Sequence, residues 1–504
     1  MRSLLILWVL LAGCDATPSS GPDAGPRPEG PVLVDSRTEA MRADGFEAQR
    51  CGTCHLEAAA EIKTGLHSHF PKGCLECHAN GLAHQAAPST LEATLDLSVE
   101  LCSRCHVVFA PDFLKDDGTK AGKYGGSIKV SKLGLFPKYQ HLLGGHDTTL
   151  DYNENRPHAW ALKDHRESKQ PQSTVCLQCK STAVAYYWEE RRRGKVVFGK
   201  DVAWADAIQK IKERWPQTID YGIGCNHCHS PHSTQLRIVR KALVAAILER
   251  GTEPSSATNF VPKSAAELQA KLNEKGGPHK LTPEARRLAG ILTCAQCHVQ
   301  FVAGAGVDKA KGILRDDLPW RKLGELEAYN QARFSMLQDW THGGTGRPGV
   351  KARQADVESY WGSKHHAAGA SCADCHMEHA GGYASHTMTS PLKKLDAACA
   401  KCHPDTSGLL AQVLALQDGV MLKAQQLELA LDALLTQIEA LEKSPGVDPV
   451  KLAQAKDHFM RALLFWDGTA VAASSAGFHN PGEAGANLAT AASELDQAKA
   501  LLGL

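Results

Sequence analysis

Eight segments of this chain carry two cysteines three positions apart, followed at once by a residue able to bind a metal. They are Cys51, Cys54 and His55; Cys74, Cys77 and His78; Cys102, Cys105 and His106; and Cys176, Cys179 and Lys180. They continue with Cys225, Cys228 and His229; Cys294, Cys297 and His298; Cys372, Cys375 and His376; and Cys399, Cys402 and His403. Cys-x-x-Cys-His is the attachment pattern of c-type haem: the thiols form thioethers to the porphyrin and the histidine takes one axial position on iron. Half of a zinc site or a disulfide is the other common use of such thiols. Neither calls for a histidine directly after the second cysteine in seven segments out of eight. The pattern implies eight covalently bound haems. Lys180 sets one of them apart, because a changed axial ligand changes what an iron does.

The chain has 17 cysteines, and the one outside these segments is Cys14. Residues 1–14, MRSLLILWVLLAGC, read as an export signal with Arg2 before an apolar run from Leu4 to Leu11, too short to span a bilayer. Its end, Leu11-Ala12-Gly13-Cys14, has the form of a lipobox, in which cleavage leaves a lipidated cysteine at the N-terminus. An ordinary secretory signal with a chance cysteine is the alternative. Residues 15–45 are rich in Pro, Gly and Ala without apolar periodicity, as in a flexible tether. An exported protein is expected, lipid-anchored through Cys14 and facing the bacterial periplasm. The formal charge of +1 carries no argument for nucleic acid, and no nucleic-acid partner is expected. Each haem adds a pair of propionates, so the loaded protein is far more acidic than its polypeptide.

Positioning these segments falls to three parts beyond the tether. Residues 46–150 hold three closely spaced motifs, residues 151–405 hold the lysine motif and four more, and residues 406–504 hold none. In the last part Val413, Leu416, Val420, Ala424, Leu427, Leu431, Leu434, Ile438 and Leu441 recur at three- and four-residue steps, which predicts a long helix with one apolar seam. The seam fits an intramolecular hairpin or a contact between copies of the chain. Asp448-Pro449 and Asn480-Pro481 predict the starts of two further helices. Strand signals are few. The fold class expected is mainly α, a multihaem cytochrome c with haem-wrapping loops and a C-terminal region of long helices.

Several stretches carry a resemblance: DYNENRPHAWAL at 151–162, VCLQCKS at 175–181, CNHCHSPHS at 225–233 and CAQCHV at 294–299. DWTHGGTG at 339–346, YWGSKHHAAGASCADCHM at 360–377, YASH at 383–386 and SAGFHNP at 475–481 extend it. The chain resembles the octahaem cytochrome c nitrite reductases and, over 150–504, the pentahaem ammonia-forming enzymes. Octahaem relatives of hydroxylamine oxidoreductase fit less well, since they use histidine at every motif. The resemblance makes Lys180 the proximal ligand of the catalytic haem, with the seven others as electron carriers, each needing a second histidine. His158, His365, His386 and His479 are the second ligands it implies for the five-haem part. For the three N-terminal haems His84 and His146 are candidates, with His69 or His67 as the third, and His232 is a further contender.

The same resemblance places Arg, Tyr and His over the lysine-ligated haem to hold an anion and relay protons. Here those positions fall on Gln170, Phe301 and Gln354. A different gap placement would let Arg166 or Lys169 supply the cation. The family's calcium-site Glu and Gln fall on Gln300 and Arg353, with Lys351 kept between them. A guanidinium at 353 can stand in for the calcium charge, so no calcium is expected.

Three functions follow as expectations. The first is reduction of a small nitrogen compound, nitrite or, better suited to a neutral pocket, hydroxylamine or nitric oxide. Its electrons would come from a quinol oxidase-type cytochrome or another periplasmic donor. The second is an electron-transfer lipoprotein with a degenerate site, and the third a reductase of a sulfur oxyanion.

Overall fold

The apolar seam lies along one helix, Leu409–Leu441, in the computed structural model of the chain. Val413, Val420, Ala424, Leu431, Leu434 and Ile438 are buried, and Leu416, Leu427 and Leu441 at the seam's margin are half-buried. The next helix, Pro449–Ala470, starts as its sequence signal requires: Asp448 accepts from the N–H of Val450 (2.8 Å) and of Lys451 (3.2 Å). Asn480 caps Pro481–Leu502 by accepting from the N–H of Glu483 at 3.3 Å. These three helices cover the seam with side chains of the same chain, among them Phe459, Leu463, Trp466, Leu488 and Leu495. The Trp466 indole is fully buried and donates to the carbonyl of Ala424 at 2.8 Å. The seam is thus closed within the molecule.

The structure describes residues 51–504 apart from 66, 68–72, 92, 116–131, 147–156, 168–173, 188–190, 193–194, 197–203, 256–259, 278–279, 302–317, 335–339, 381–382 and 471–474. The signal, Cys14 and the tether therefore lie outside the described residues, as do His69, Gln170 and Lys169. Among the described residues strand is confined to two-stranded antiparallel pairs, such as Trp340–Thr341 with Pro348–Gly349. No helix among them is long and apolar enough to cross a membrane.

The rest of the molecule is short helices and loops around the motifs. Its apolar residues form separate clusters. One holds Leu243, Ile247, Leu268, Ile291, Leu292, Val299, Trp320 and Val357, and another Leu97, Leu162, Leu177, Val184, Ile211 and Trp215. Each reaches into a motif, through Ala295 in the first and Leu177 in the second. A segment ending at His146 packs on the C-terminal helices through Phe136, Tyr139, Leu142 and Leu143.

Candidate functional site

Each histidine motif is one helical turn. The N–H of His55, His78, His106, His229, His298 and His403 returns to the carbonyl of the first cysteine at 2.8–3.0 Å, and Cys372–His376 is itself helical. Residues i, i+3 and i+4 of a turn share a face, so both thiols and the imidazole point one way, as one porphyrin requires. Lys180 departs from this: its N–H goes to Leu177 at 3.1 Å, closing a tighter 3-10 turn over Thr174–Cys179.

Second histidines stand opposite most of the motif histidines. Ring centroids lie 6.0 Å apart for His55 and His84, 6.1 Å for His106 and His67, and 6.0 Å for His298 and His158. The values are 6.5 Å for His229 and His386, 6.3 Å for His376 and His479, and 6.3 Å for His403 and His365. Imidazole nitrogens bind metals at about 2 Å, so two rings on opposite sides of one iron have centroids roughly 6 Å apart. The remaining motif histidine, His78, feels His232 most among its imidazole neighbours.

The outward ring nitrogens are tied down. Backbone carbonyls face Nδ1 of His78 (Thr94, 2.8 Å), His84 (Leu91, 2.5 Å), His67 (Pro231, 2.7 Å), His376 (Thr389, 3.0 Å) and His386 (Ala384, 2.9 Å). A carbonyl there selects the Nδ1–H tautomer and leaves the Nε2 lone pair for a metal. Burial pushes His158 and His376 down to about 4, which keeps them in the neutral, ligating form. Spacing, tautomer and charge all fit covalently held haem.

One expected ligand, His146, stands elsewhere. His69 lies outside the described residues, and it is His67 that the structure sets opposite His106. His146 stands edge-on to Trp340 at 5.2 Å, not opposite a motif histidine of the N-terminal part, whose neighbours are His84, His67 and His232. The reason is packing: the apolar residues just before His146 fold onto the C-terminal helices and carry it with them. His342, beside the same indole, uses both ring nitrogens internally, with Leu142 (2.9 Å) and Thr345 (3.0 Å).

Lys180 is 6% exposed, and burial pushes its ammonium down to about 8. Gly222 makes the burial feasible: it sits at φ +67°, and a Cβ there would lie 2.4 Å from the Lys180 carbonyl oxygen. Motif cysteines also approach one another. Cys179 lies near Cys297, Cys294 near Cys372 and Cys102 near Cys225, close enough that each thiol shifts the acidity of the other. The lysine motif thus abuts the Cys294 motif, which abuts the Cys372 motif.

At the calcium-type corner the Arg353 guanidinium donates to the carbonyls of Phe301 and Lys351, each at 3.2 Å. Gln300 donates to Lys351 O at 3.0 Å and accepts from the Arg353 N–H at 2.6 Å. The Phe301 ring lies 5.3 Å from the Arg353 guanidinium and 5.5 Å from that of Arg240. Gln354 follows with φ +27°, a left-handed backbone rare for a residue with a Cβ. Lys351 forms a buried ion pair with Asp467 of the second C-terminal helix. Arg166 donates to Ile219 O at 3.2 Å.

Sequence reasoning missed Arg240, which is 1% exposed and reaches Cys179 Sγ (3.6 Å) and Gln296 O (2.7 Å). It also missed Asp356, which faces His298. Neither residue belongs to a spaced pattern, so no local signal marks them.

Known proteins match this arrangement. The chain is 27% identical to the cytochrome c nitrite reductase subunit NrfA of Nitratidesulfovibrio vulgaris, over 75% of this chain and 74% of that one. It is 28% identical to cytochrome c-552 of Aliarcobacter butzleri, over 73% and 70%. Among solved structures, the cytochrome c nitrite reductase NrfA of Desulfovibrio desulfuricans, described with two calcium sites, superposes with a TM-score of 0.64 at 22% identity. That superposition covers 81% of this chain and 86% of the other and shows a shared fold. Residues 112–504 match the cytochrome c552 family model, and the chain belongs to that family.

Proposed function

We propose that this chain is an octahaem c-type cytochrome that reduces a small nitrogen compound at the haem held by Cys176, Cys179 and Lys180. The observation that carries the reading is the contrast between motifs: a buried lysine with a lowered pKa ends one, while second histidines face six of the other seven. When bound, the lysine-ligated haem supplies an iron that accepts a small ligand and the electrons to reduce it. Lys180 would hold the iron as a neutral amine, and burial moves its pKa toward that form by disfavouring the ammonium. The closeness of Cys179 to Cys297 and of Cys294 to Cys372 supports an electron route through the haems that these motifs would hold.

The residues expected over the site favour an uncharged substrate. Phe301 and Gln354 offer neither the phenol nor the imidazole that nitrite reduction uses, so hydroxylamine or nitric oxide suits the pocket better than nitrite. Arg353 already satisfies the two carbonyls of the calcium-type corner, which supports a protein that needs no calcium there. Cys14 as a lipid anchor, a periplasmic location and a periplasmic electron donor complete the reading. Cys14→Ser should then release the protein from membranes.

Carbon monoxide titration of the reduced holoprotein tests the centre: one equivalent should bind, and Lys180→His should keep that binding but shift the absorption of the carbonyl complex, since only the proximal ligand changes. Hydroxylamine should oxidise a reduced viologen in the presence of the protein, faster than nitrite does. Phe301→Tyr with Gln354→His should raise nitrite turnover. Absence of both carbon monoxide binding and viologen oxidation would leave a pure electron relay.

A further inference from the structure

Asp356 begins the short helix Asp356–Tyr360 and is 6% exposed. Its Oδ2 lies 3.2 Å from Nδ1 of His298, and its Oδ1 lies 3.6 Å from Nδ1 of His479. The second separation is that of an ion pair, longer than a hydrogen bond, and the buried His479 Nδ1 has no hydrogen-bond partner among the described residues. His298 stands opposite His158, and His479 opposite His376, so one carboxylate spans two separate ring pairs. The motifs of those pairs are also neighbours, since Cys294 lies near enough to shift the acidity of Cys372. His78, His376, His386 and His229 have neutral carbonyls at Nδ1, of Thr94, Thr389, Ala384 and Thr234, whereas the Glu61 carboxylate at Nδ1 of His232 faces that one ring of a separate pair.

We propose that Asp356 is a positioning residue that ties together the reduction potentials of the haems on the Cys294 and Cys372 motifs. The proposal rests on the reading of His298 and His479 as axial ligands. A carboxylate at an imidazole N–H raises the basicity of that ligand and stabilises the oxidised, more positive iron. Because the same charge serves two irons, oxidising one draws the carboxylate toward its own imidazole and weakens its hold on the other. Electrons pass singly between the two irons, and the carboxylate keeps its charge throughout. Glu358, the next buried carboxyl, does not duplicate the role: it accepts from the Gln300 N–H at 2.9 Å, and burial pushes it up to about 8, leaving it neutral at pH 7. The consequence is a paired relay beside the lysine motif, able to deliver electrons in quick succession.

A redox titration of the holoprotein, followed by electron paramagnetic resonance, tests this. Asp356→Asn should raise the midpoint potentials of two doubly imidazole-ligated haems and leave the others in place. The rise expected corresponds to at least a tenfold fall in each oxidised-to-reduced ratio at a fixed potential, about 59 mV for one electron. Asp356→Glu should recover part of it. A shift at a single haem, or at none, overturns the proposal. If Asp356→Asn fails to load haem, wild-type protein labelled with [13C]aspartate gives a second reading. Its infrared difference spectrum should show a carboxylate band responding at two potentials, and a response at one or none overturns the proposal equally. Failure of the underlying ligand assignment looks different, because wild-type protein would then lack the bis-imidazole signals before any substitution.

Discussion

The C-terminal helices and the motif-bearing region are held together by different means. Between Leu409 and Leu502 apolar side chains meet one another: Leu431, Leu435, Ile438, Phe459 and Trp466 are fully buried in one continuous core. Between Cys51 and His403 the apolar residues divide into separate clusters, and cysteines and imidazoles stand between them. The helices carry their core in their sequence. The motif region carries instead the attachment points for porphyrins, whose faces must supply the missing contacts. Stability there is linked to cofactor attachment, as in other small domains organised around a metal.

The largest test of this contrast is a chain made without haem attachment. Its amide protons should be protected from exchange within Leu409–Leu441, Pro449–Ala470 and Pro481–Leu502 and little protected over the motif turns. Even protection along the whole chain would sink the distinction. A smaller test acts inside the helical core. Trp466→Ala removes a fully buried indole and its bond to Ala424 O, a truncation that typically costs about 3–5 kcal/mol. Chemical denaturation of the holoprotein should register that loss, while the haem absorption of the still-folded protein stays unchanged.

The same contrast explains what was legible in the sequence. Helix periodicity and caps are local, so the seam and the starts at Asp448 and Asn480 could be read directly. The motifs are local too. Which histidine faces which motif is a tertiary matter: His158 and His298 are far apart in sequence, and only the resemblance pointed to His158. For the three N-terminal haems the residues alone left alternatives, and spacing could not choose between His67 and His69 or say where His146 would stand. The fate of His146 was decided by Phe136, Tyr139 and Leu142, whose attraction to the helices no motif announces. Arg240 and Asp356 were invisible for the same reason, since single charged residues acquire meaning only from the neighbours the fold supplies.

The finest test lies where the two regions join. Lys351 and Asp467 pair across that boundary, and next to them Arg353 and Gln300 satisfy the carbonyls of Phe301 and Lys351 from within the chain. Exchanging Arg353→Gln and Gln300→Glu together replaces a fixed guanidinium by a carboxylate facing two carbonyls, an oxygen-only set suited to calcium. Without the ion, that set leaves a buried carboxylate uncompensated and the carbonyls short of a donor, a cost of about 1–3 kcal/mol. Melting of the double variant should therefore fall by a few degrees on chelation and recover when calcium is added. The parent protein should melt at the same temperature with and without chelator, because its cation is covalently part of the loop. A parent that responds to chelation, or a double variant indifferent to it, would show that Arg353 does not hold this boundary by standing in for a divalent ion.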